Sequence, residues 1–230
     1  MVSETLLVES ATFRAITFEH GELVETGGEL RTAIRIFDGR KLALSAGDTH
    51  YFYCFRGPAA LEAPAGVFPL ASGMYGSLNG AGALVGGGAG FVASRRGYRG
   101  MFQLGGPIEE TGRLRYIDGC TDSLLLSPVV RGAPCLNHLH IPAKTRQTPH
   151  THPSLRVGMI VRGTGSCVTP EAEYPLEPGL TFLIEPDKLH SFVTDGRPLD
   201  VVVYHPDSDT GPTHEDHPMV NRTIIPGGRR

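Results

Sequence analysis

Gln147-Thr-Pro-His-Thr-His-Pro-Ser-Leu-Arg-Val-Gly-Met-Ile-Val-Arg-Gly163 is the stretch on which the reading of this chain turns. It reads as a bend that leads into a buried strand. His150 and His152 stand at i and i+2, a spacing that puts two imidazoles on one face of extended chain. His190 follows 38 residues after His152, beyond a glycine-punctuated run, and a neighbouring strand can return it to the pair. Three ring nitrogens so placed form a metal site. The expectation is a small β-barrel with a metal in its mouth.

Working outward, short apolar or alternating runs bounded by Gly, Pro, Asp or Ser predict strands almost throughout. They are Leu6–Glu9, Thr12–Thr17, Leu30–Phe37, His50–Phe55, Phe91–Ala93, Tyr98–Leu104, Leu124–Pro128, Cys135–Ile141, Val157–Val161, Gly165–Val168, Thr181–Ile184, His190–Val193 and Asp200–Tyr204. Ala59–Ala63 is the one piece with helical character. The glycine-rich Ser77–Gly90 lacks the Lys-Ser/Thr or the βαβ helix that a phosphate-cradling loop needs, so it reads as tight turns between small strands or as a surface linker. A break near Gly105–Gly112 divides the chain into residues 1–105 and residues 106–230. Eight of the ten histidines lie after residue 130. The halves share a rough pattern: Ser45-Ala-Gly-Asp48 before Tyr51–Tyr53, and Leu176-Glu-Pro-Gly179 before Thr181–Ile184. Two related β-units are expected, the first without metal ligands.

Composition narrows the function classes. Gly 30 and Pro 18 make about a fifth of the 230 residues, and 20% are charged, a balance suited to a turn-rich all-β fold rather than to disorder. No apolar run reaches 18 residues, so no membrane span is expected. Glu4, Thr5 and Glu9 stand where a secretory signal would carry basic and apolar residues, which points to the cytoplasm. Cys54, Cys120, Cys135 and Cys167 have no CxxC spacing and read as reduced thiols. A net charge of -3 with no basic run beyond Arg95-Arg96 argues against nucleic acid, and the C-terminal Arg229-Arg230 reads as a solvated end. The sequon at Asn221-Arg222-Thr223 has no meaning without secretion.

These residues resemble the cupin superfamily. Its first motif, Gly-x5-His-x-His-x3,4-Glu-x6-Gly, is matched by His150, His152 and Gly163. Lys144 occupies the opening glycine position, and Arg156 falls where a glutamate ligand is expected. The second motif, Gly-x5-Pro-x-Gly-x2-His-x3-Asn, is echoed by Gly179, Pro186 and His190, with altered gaps, no glycine after the proline, and Thr194 at the asparagine position. The motif-bearing part runs from about Leu136 to Tyr204. The resemblance implies a double-stranded β-helix, the jelly-roll or cupin barrel, built as two cupin-like units: a degenerate one over 1–105 and a metal-binding one with a C-terminal tail over 106–230. Cupins include dioxygenases, isomerases, lyases, cyclases, decarboxylases, transcription factors and storage proteins, so the resemblance implies a fold more than a reaction.

Neutral imidazoles suit Fe, Ni, Cu and Zn, and three of them on one ion leave positions open for water, oxygen or substrate. Arginine in place of the glutamate removes an anionic charge. If Arg156 faces the cavity, its guanidinium can grip a substrate carboxylate; the alternative is that it points outward to a surface acid. Gly158 beyond it leaves room for a cavity. A two-histidine, one-carboxylate site would need Glu185, since Glu171 and Glu173 lie outside ligand positions. His138 and His140 form a second i, i+2 pair. They can line the cavity as proton shuttles, lend a fourth ligand or bond to ligand imidazoles, or they can face solvent or a partner subunit. Gln147 is a candidate for the mouth. Tyr204 can orient substrate or oxygen, or simply close the β-core beside His205. Met159, Val161, Phe182 and Phe192 are expected as apolar walls. The tail Asp207–His217 reads as a folded-back loop, with Met219-Val220 and Ile224-Ile225 as anchors.

The leading functional expectation is a non-haem Fe(II)-dependent dioxygenase acting on a small carboxylate-bearing or chelating enol-like substrate, with His150, His152 and His190 holding Fe(2+) and Arg156, His138, His140 and Tyr204 as catalytic candidates. One alternative keeps the site but uses Zn, Ni or Mn as a Lewis acid in a lyase, isomerase or cyclase, and Cu also suits the donors. The other is a non-enzymatic small-ligand-binding module. Exposed sheet edges make a homodimer a further expectation.

Overall fold

A computed structural model describes residues 10–16, 24–220, 223–224 and 226–227. The first half contributes β1 (Phe13–Ile16), β2 (Val24–Glu25), β3 (Thr32–Asp38), β4 (Leu42–Leu44), β5 (Thr49–Arg56) and β6 (Ala59–Ala63). It continues with β7 (Gly66–Leu70), β8 (Tyr75–Asn79), β9 (Gly82–Val85), β10 (Ala89–Arg95) and β11 (Gln103–Gly105). The second half contributes β12 (Leu114–Arg115), β13 (Thr121–Leu126), β14 (Cys135–Ile141), β15 (Arg156–Gly163) and β16 (Gly165–Val168). Its last strands are β17 (Glu173–Leu176), β18 (Thr181–Ile184), β19 (Ser191–Val193) and β20 (Leu199–His205). A 3-10 turn spans Ile117–Gly119.

The strands form four sheets, and their pairings are antiparallel. A six-stranded sheet, β11-β8-β5-β10-β3-β2, faces a four-stranded one, β4-β9-β6-β7, across an apolar cluster containing Phe37, Phe52, Leu61, Leu84 and Val92. A seven-stranded sheet, β1-β18-β15-β20-β14-β13-β12, and a three-stranded one, β17-β16-β19, share a second cluster containing Phe13, Ile160, Tyr174, Phe182 and Phe192. A third cluster joins the two large sheets: Ile34, Ile36, Tyr51, Tyr53 and Phe91 from one meet Leu136, Val157, Met159, Val202 and Tyr204 from the other. Each fully buried side chain of this kind contributes about 1.5–3 kcal/mol of transfer free energy.

Period-2 alternation in β15 decides which side chains reach the second half's interior. Val157, Met159 and Val161 face the other large sheet, whereas Ile160 lies in the interior cluster and Arg156 lines the cavity beside it. Met159 and Val161, expected as cavity walls, are therefore core residues between the halves. Gly158 belongs to the inward set, and a Cβ there would sit 2.3 Å from Cζ of Phe182. The room that Gly158 leaves is filled by that ring.

The sequence expectations and the structure part company at identifiable places. Ala59–Ala63 is strand β6, paired on both sides with β7 and β9, because burial of Leu61 between two neighbours outweighs the helical preference of an Ala-Leu-Glu-Ala run. The strand expected over Tyr98–Leu104 shrinks to β11. The glycine-rich segment forms β8, β9 and β10, with Gly80 and Gly86 at positive φ in the turns between them. The chain passes from the six-stranded sheet to the seven-stranded one between β11 and β12, and β1 joins the latter. Phe13–Ile16 pairs with β18 and covers an edge of the second half's sheet, and Phe13 stacks on Tyr174 and Phe182. All four cysteines are buried free thiols. The loop after β20 folds back, with Gly132 N donating to Ser208 O (2.7 Å) and Arg131 N to Pro212 O (3.1 Å). Met219, Val220 and Ile224 are exposed rather than anchored. The expected strand at Leu6–Glu9 and the positions of Thr17, His20, Asn221, Arg222, Ile225, Arg229 and Arg230 lie outside the described residues.

Since a methyl group at position 158 collides with the Phe182 ring, Gly158→Ala is expected to destabilise the fold by about 1–3 kcal/mol, with Phe182→Leu in the same chain recovering part of the loss. Urea denaturation of the three variants measures this. Equal midpoints for Gly158→Ala and the parent would show that the ring is not held against the strand.

Candidate metal centre

His150, His152 and His190 come together at one end of the second half. Their ligand nitrogens all lie within 4.8 Å of one another, and the ring centroids are 4.6 to 5.2 Å apart. The backbone explains the convergence. His150 and His190 form an isolated antiparallel bridge, with His150 N donating to His190 O (2.9 Å) and His190 N to His150 O (3.0 Å). Asp187 N donates to the carbonyl of His152 (2.7 Å), which pins the turn carrying His190 to the second imidazole. Asp187 itself has φ 58 in that turn, a left-handed conformation that aspartate tolerates and glycine favours.

The rings are oriented as ligands. Nδ1 of His150 bonds to Thr148 O and Nδ1 of His190 to Lys188 O, each at 2.9 Å, so the proton sits on Nδ1 and Nε2 keeps its lone pair. Burial pushes His152 down to about 3 and His190 down to about 4, helped by the positive charge of Arg156 and by mutual repulsion within the triad. At neutral pH both are the uncharged form that a metal binds. Three nitrogens about 2.0–2.1 Å from one ion would be separated by roughly 3.0–3.4 Å, a modest closing of the present arrangement. The donor set thus fits a divalent cation of the borderline class and does not by itself select iron over zinc, nickel, manganese or copper.

The triad opens into a cavity of about 260 Å³. Phe182, Ile184, Phe192, Leu139 and Val203 supply its apolar walls, while Arg156, Tyr116, Asp122, Asn137 and His205 supply polar groups. Arg156 faces inward, as alternation from β15 requires, and is 9% exposed. Its NH1 donates to Ser154 O (3.0 Å), Ser154 Oγ (2.7 Å) and Leu155 O (3.1 Å), and its Nε is buried without a hydrogen-bond partner. Asp207 and Asp209 are the carboxylates whose charge acts on it. Tyr116 meets the His150 ring edge-on at 6.5 Å between centroids. Asp122 accepts from Asn137 Nδ2 at 3.0 Å, and burial pushes its carboxyl up to about 6 against the pull of His138 and Asn137.

Several expected residues lie elsewhere. On β14, Asn137 and Leu139 face the cavity, so His138 and His140 occupy the opposite face. There both imidazoles bond to Oδ1 of Asp200, at 2.8 and 2.9 Å, and Arg162 Nε bonds to Oδ2 at 3.2 Å. They are neither ligands of the triad nor proton shuttles in its cavity. Tyr204 is fully buried between the two large sheets against Tyr51, 5.2 Å between centroids, and does not reach the site. Its neighbour His205 lines the cavity instead, and burial together with Arg156 and His152 keeps that imidazole neutral. Glu185 pairs with Arg14 outside the cavity, which removes the carboxylate alternative for the third ligand. Gln147 is buried, accepting from Phe192 N (3.3 Å), and supports the wall rather than the mouth. Asp122, Asn137, Tyr116 and His205 carry no spacing signal, although counting by two from Val203 or Leu139 points to His205 and Asn137.

Fold and site together define a cupin-like protein with a clustered histidine triad suited to a metal. Residues 132–210 match the family model described as the AraC-like ligand binding domain. Among curated proteins, none matches the sequence. The solved structures it resembles include the putative glyoxylate-induced protein of Pseudomonas aeruginosa (TM-score 0.64, 10% identity, 93% of this chain and 94% of that one). They also include a cupin 2 conserved barrel domain protein of Leptotrichia buccalis (TM-score 0.62, 10% identity, 86% and 98%). A third is the salicylate 1,2-dioxygenase of Pseudaminobacter salicylatoxidans (TM-score 0.59, 9% identity, 82% and 76%). At these identities the likeness is one of fold. No helix among the described residues is long and apolar enough to cross a membrane.

The depressed histidine pKa values set a pH signature. Above pH 6.5 folded and unfolded chains hold these two imidazoles neutral alike; below it the unfolded chain takes up protons that the folded chain refuses, so stability falls from pH 6.5 down to about 3. For metal affinity, His152 and His190 are expected to add no pH dependence between pH 8 and 6, since no proton need leave either ring. Titration of Zn(II) or Co(II) into metal-free protein across that range checks it. A loss steeper than tenfold per pH unit below 6.5, more than one proton can give, would mean that His152 or His190 takes up a proton there.

Proposed function

We propose that the protein is a metal-dependent enzyme of the dioxygenase class, holding Fe(II) through His150, His152 and His190 and oxidising a small carboxylate-bearing or chelating enol-like substrate with dioxygen. The observation that carries this reading is Arg156: a buried guanidinium with an unpartnered Nε in the wall of the cavity that the triad faces, at the position where the family motif has an anionic ligand. A cationic site with no carboxylate among its three donors is matched to an anionic substrate. The fold likeness to the salicylate 1,2-dioxygenase supports the same class.

In this reading Arg156 NH1 stays tied to Ser154 and Leu155, which fixes the guanidinium plane, and the rest of the group receives the substrate carboxylate. Phe182, Phe192, Leu139 and Val203 exclude water around the bound acid. The carbonyls of Thr148 and Lys188 hold His150 and His190 with Nε2 toward the cation. Bound iron supplies the electrons and the open coordination positions on which oxygen chemistry depends.

Two other readings have specific support. Asp122, whose carboxyl burial pushes up to about 6, is a proton acceptor suited to a Zn, Ni or Mn lyase, isomerase or cyclase. The match of residues 132–210 to a ligand-binding family favours a module that binds a small acid without turnover.

Elemental analysis of purified protein, followed by oxygen uptake after anaerobic loading with Fe(II) and addition of hydroxy and enolic acids, separates the three. The dioxygenase reading expects substrate-dependent oxygen consumption, and Arg156→Gln is expected to weaken carboxylate binding about 10- to 100-fold with metal content unchanged. Turnover without oxygen uptake, or acid binding with no turnover on any metal, would contradict it in favour of one of the others.

A further inference from the structure

Two cavity groups are left without work by the function proposed above. Asn137 projects from β14 into the same cavity as Arg156, and its Nδ2 is committed to Asp122 Oδ1 at 3.0 Å. Its Oδ1 is buried and has no hydrogen-bond partner. A buried amide oxygen is seldom left unsatisfied, and this one belongs to a residue that lines the ligand cavity. Asp122 beside it adds carboxylate oxygens, so the pair is rich in acceptors. Arg156 presents donors only. The cavity is therefore polarised, and the Tyr116 ring lies within electrostatic reach of both poles.

We propose that Asn137 and Asp122 form a specificity-determining pole that receives a hydroxyl or amino group of the substrate, and that the substrate class is a small acid carrying such a donor away from its carboxylate. The inference deepens the reading of Arg156 as the carboxylate clamp and rests on it. Three features support it. The two poles stand apart on one sheet, Asp122 and Asn137 on β13 and β14 and Arg156 on β15, with β20 between them. The walls between them are apolar, which suits a flat ring or short chain joining two polar ends. A site that hydrogen-bonds a substrate hydroxyl rejects the analogue lacking it, because its own acceptors are then buried unpaired.

Binding of benzoate, 3-hydroxybenzoate and 3-aminobenzoate to Zn(II)-loaded protein, measured by calorimetry, tests this without relying on turnover; in these probes the meta donor cannot chelate a metal together with the carboxylate. The parent protein is expected to prefer the hydroxy and amino acids over benzoate about tenfold, the contribution of one bond to a buried acceptor. Asn137→Leu and Asp122→Leu are expected to reduce that preference to less than about threefold. Asn137→Ser, which keeps an acceptor in less volume, guards against a packing defect and is expected to retain part of the preference. Arg156-dependent binding of all three acids with no preference in the parent, or a preference that survives both leucine variants, would overturn the pole and leave the clamp standing. Benzoate binding indifferent to Arg156→Gln, or no binding of any acid, would overturn the clamp and the pole together.

Discussion

The antiparallel bridge between His150 and His190 is the contact on which the site depends. Two backbone hydrogen bonds, 2.9 and 3.0 Å, hold a chain segment that has not yet become β15 against one that has not yet become β19. Because the bridge precedes both strands, the two imidazoles project from its end rather than into the packed interior. The His152 carbonyl, by capturing Asp187 N, brings the third ring into the same space. The chemistry of the cavity is then set by three imidazole nitrogens, an arginine at the first residue of β15, and apolar walls from β18 and β19.

The two halves divide labour. Both place a large sheet against a smaller one around an apolar cluster, and the large sheets bury a shared core. Only the second half gathers a histidine triad among the described residues. In the first half His50 is buried, bonding to Ser94 Oγ (2.7 Å) and to Ser45 O (2.9 Å), a structural role. The first half contributes to the second mainly through packing, with β1 extending the sheet that carries Arg156.

Much of this was legible in the amino-acid order, for reasons that can be named. His150, His152 and His190 were found because i, i+2 spacing and a glycine-bounded return are local signals. Gly163 was legible as a closing turn: its φ is +77, and a Cβ would lie 1.7 Å from Pro198 O. Lys144, standing where the motif has glycine, has φ 60, so the conformation persists without the residue that favours it. What sequence could not supply was facing. Tyr204 and His205 are adjacent, and only the register with Leu136 and Cys135 shows that His205 is the inward one. His138 and His140 share the spacing of a ligand pair, but they lie on the face of β14 where Asp200 and Arg162 wait across the sheet. The Asp122–Asn137 pair joins residues from two strands and had no linear pattern to betray it.

The most direct test of the account is X-ray absorption spectroscopy at the metal edge of Fe(II)- or Zn(II)-loaded protein. Three imidazole nitrogens at about 2.0–2.1 Å, with the outer-shell scattering of three rings and no sulfur, are the predicted result. A first shell with one imidazole or none, or one containing a thiolate, would show that these histidines do not share a cation and would contradict the site on which the functional account stands.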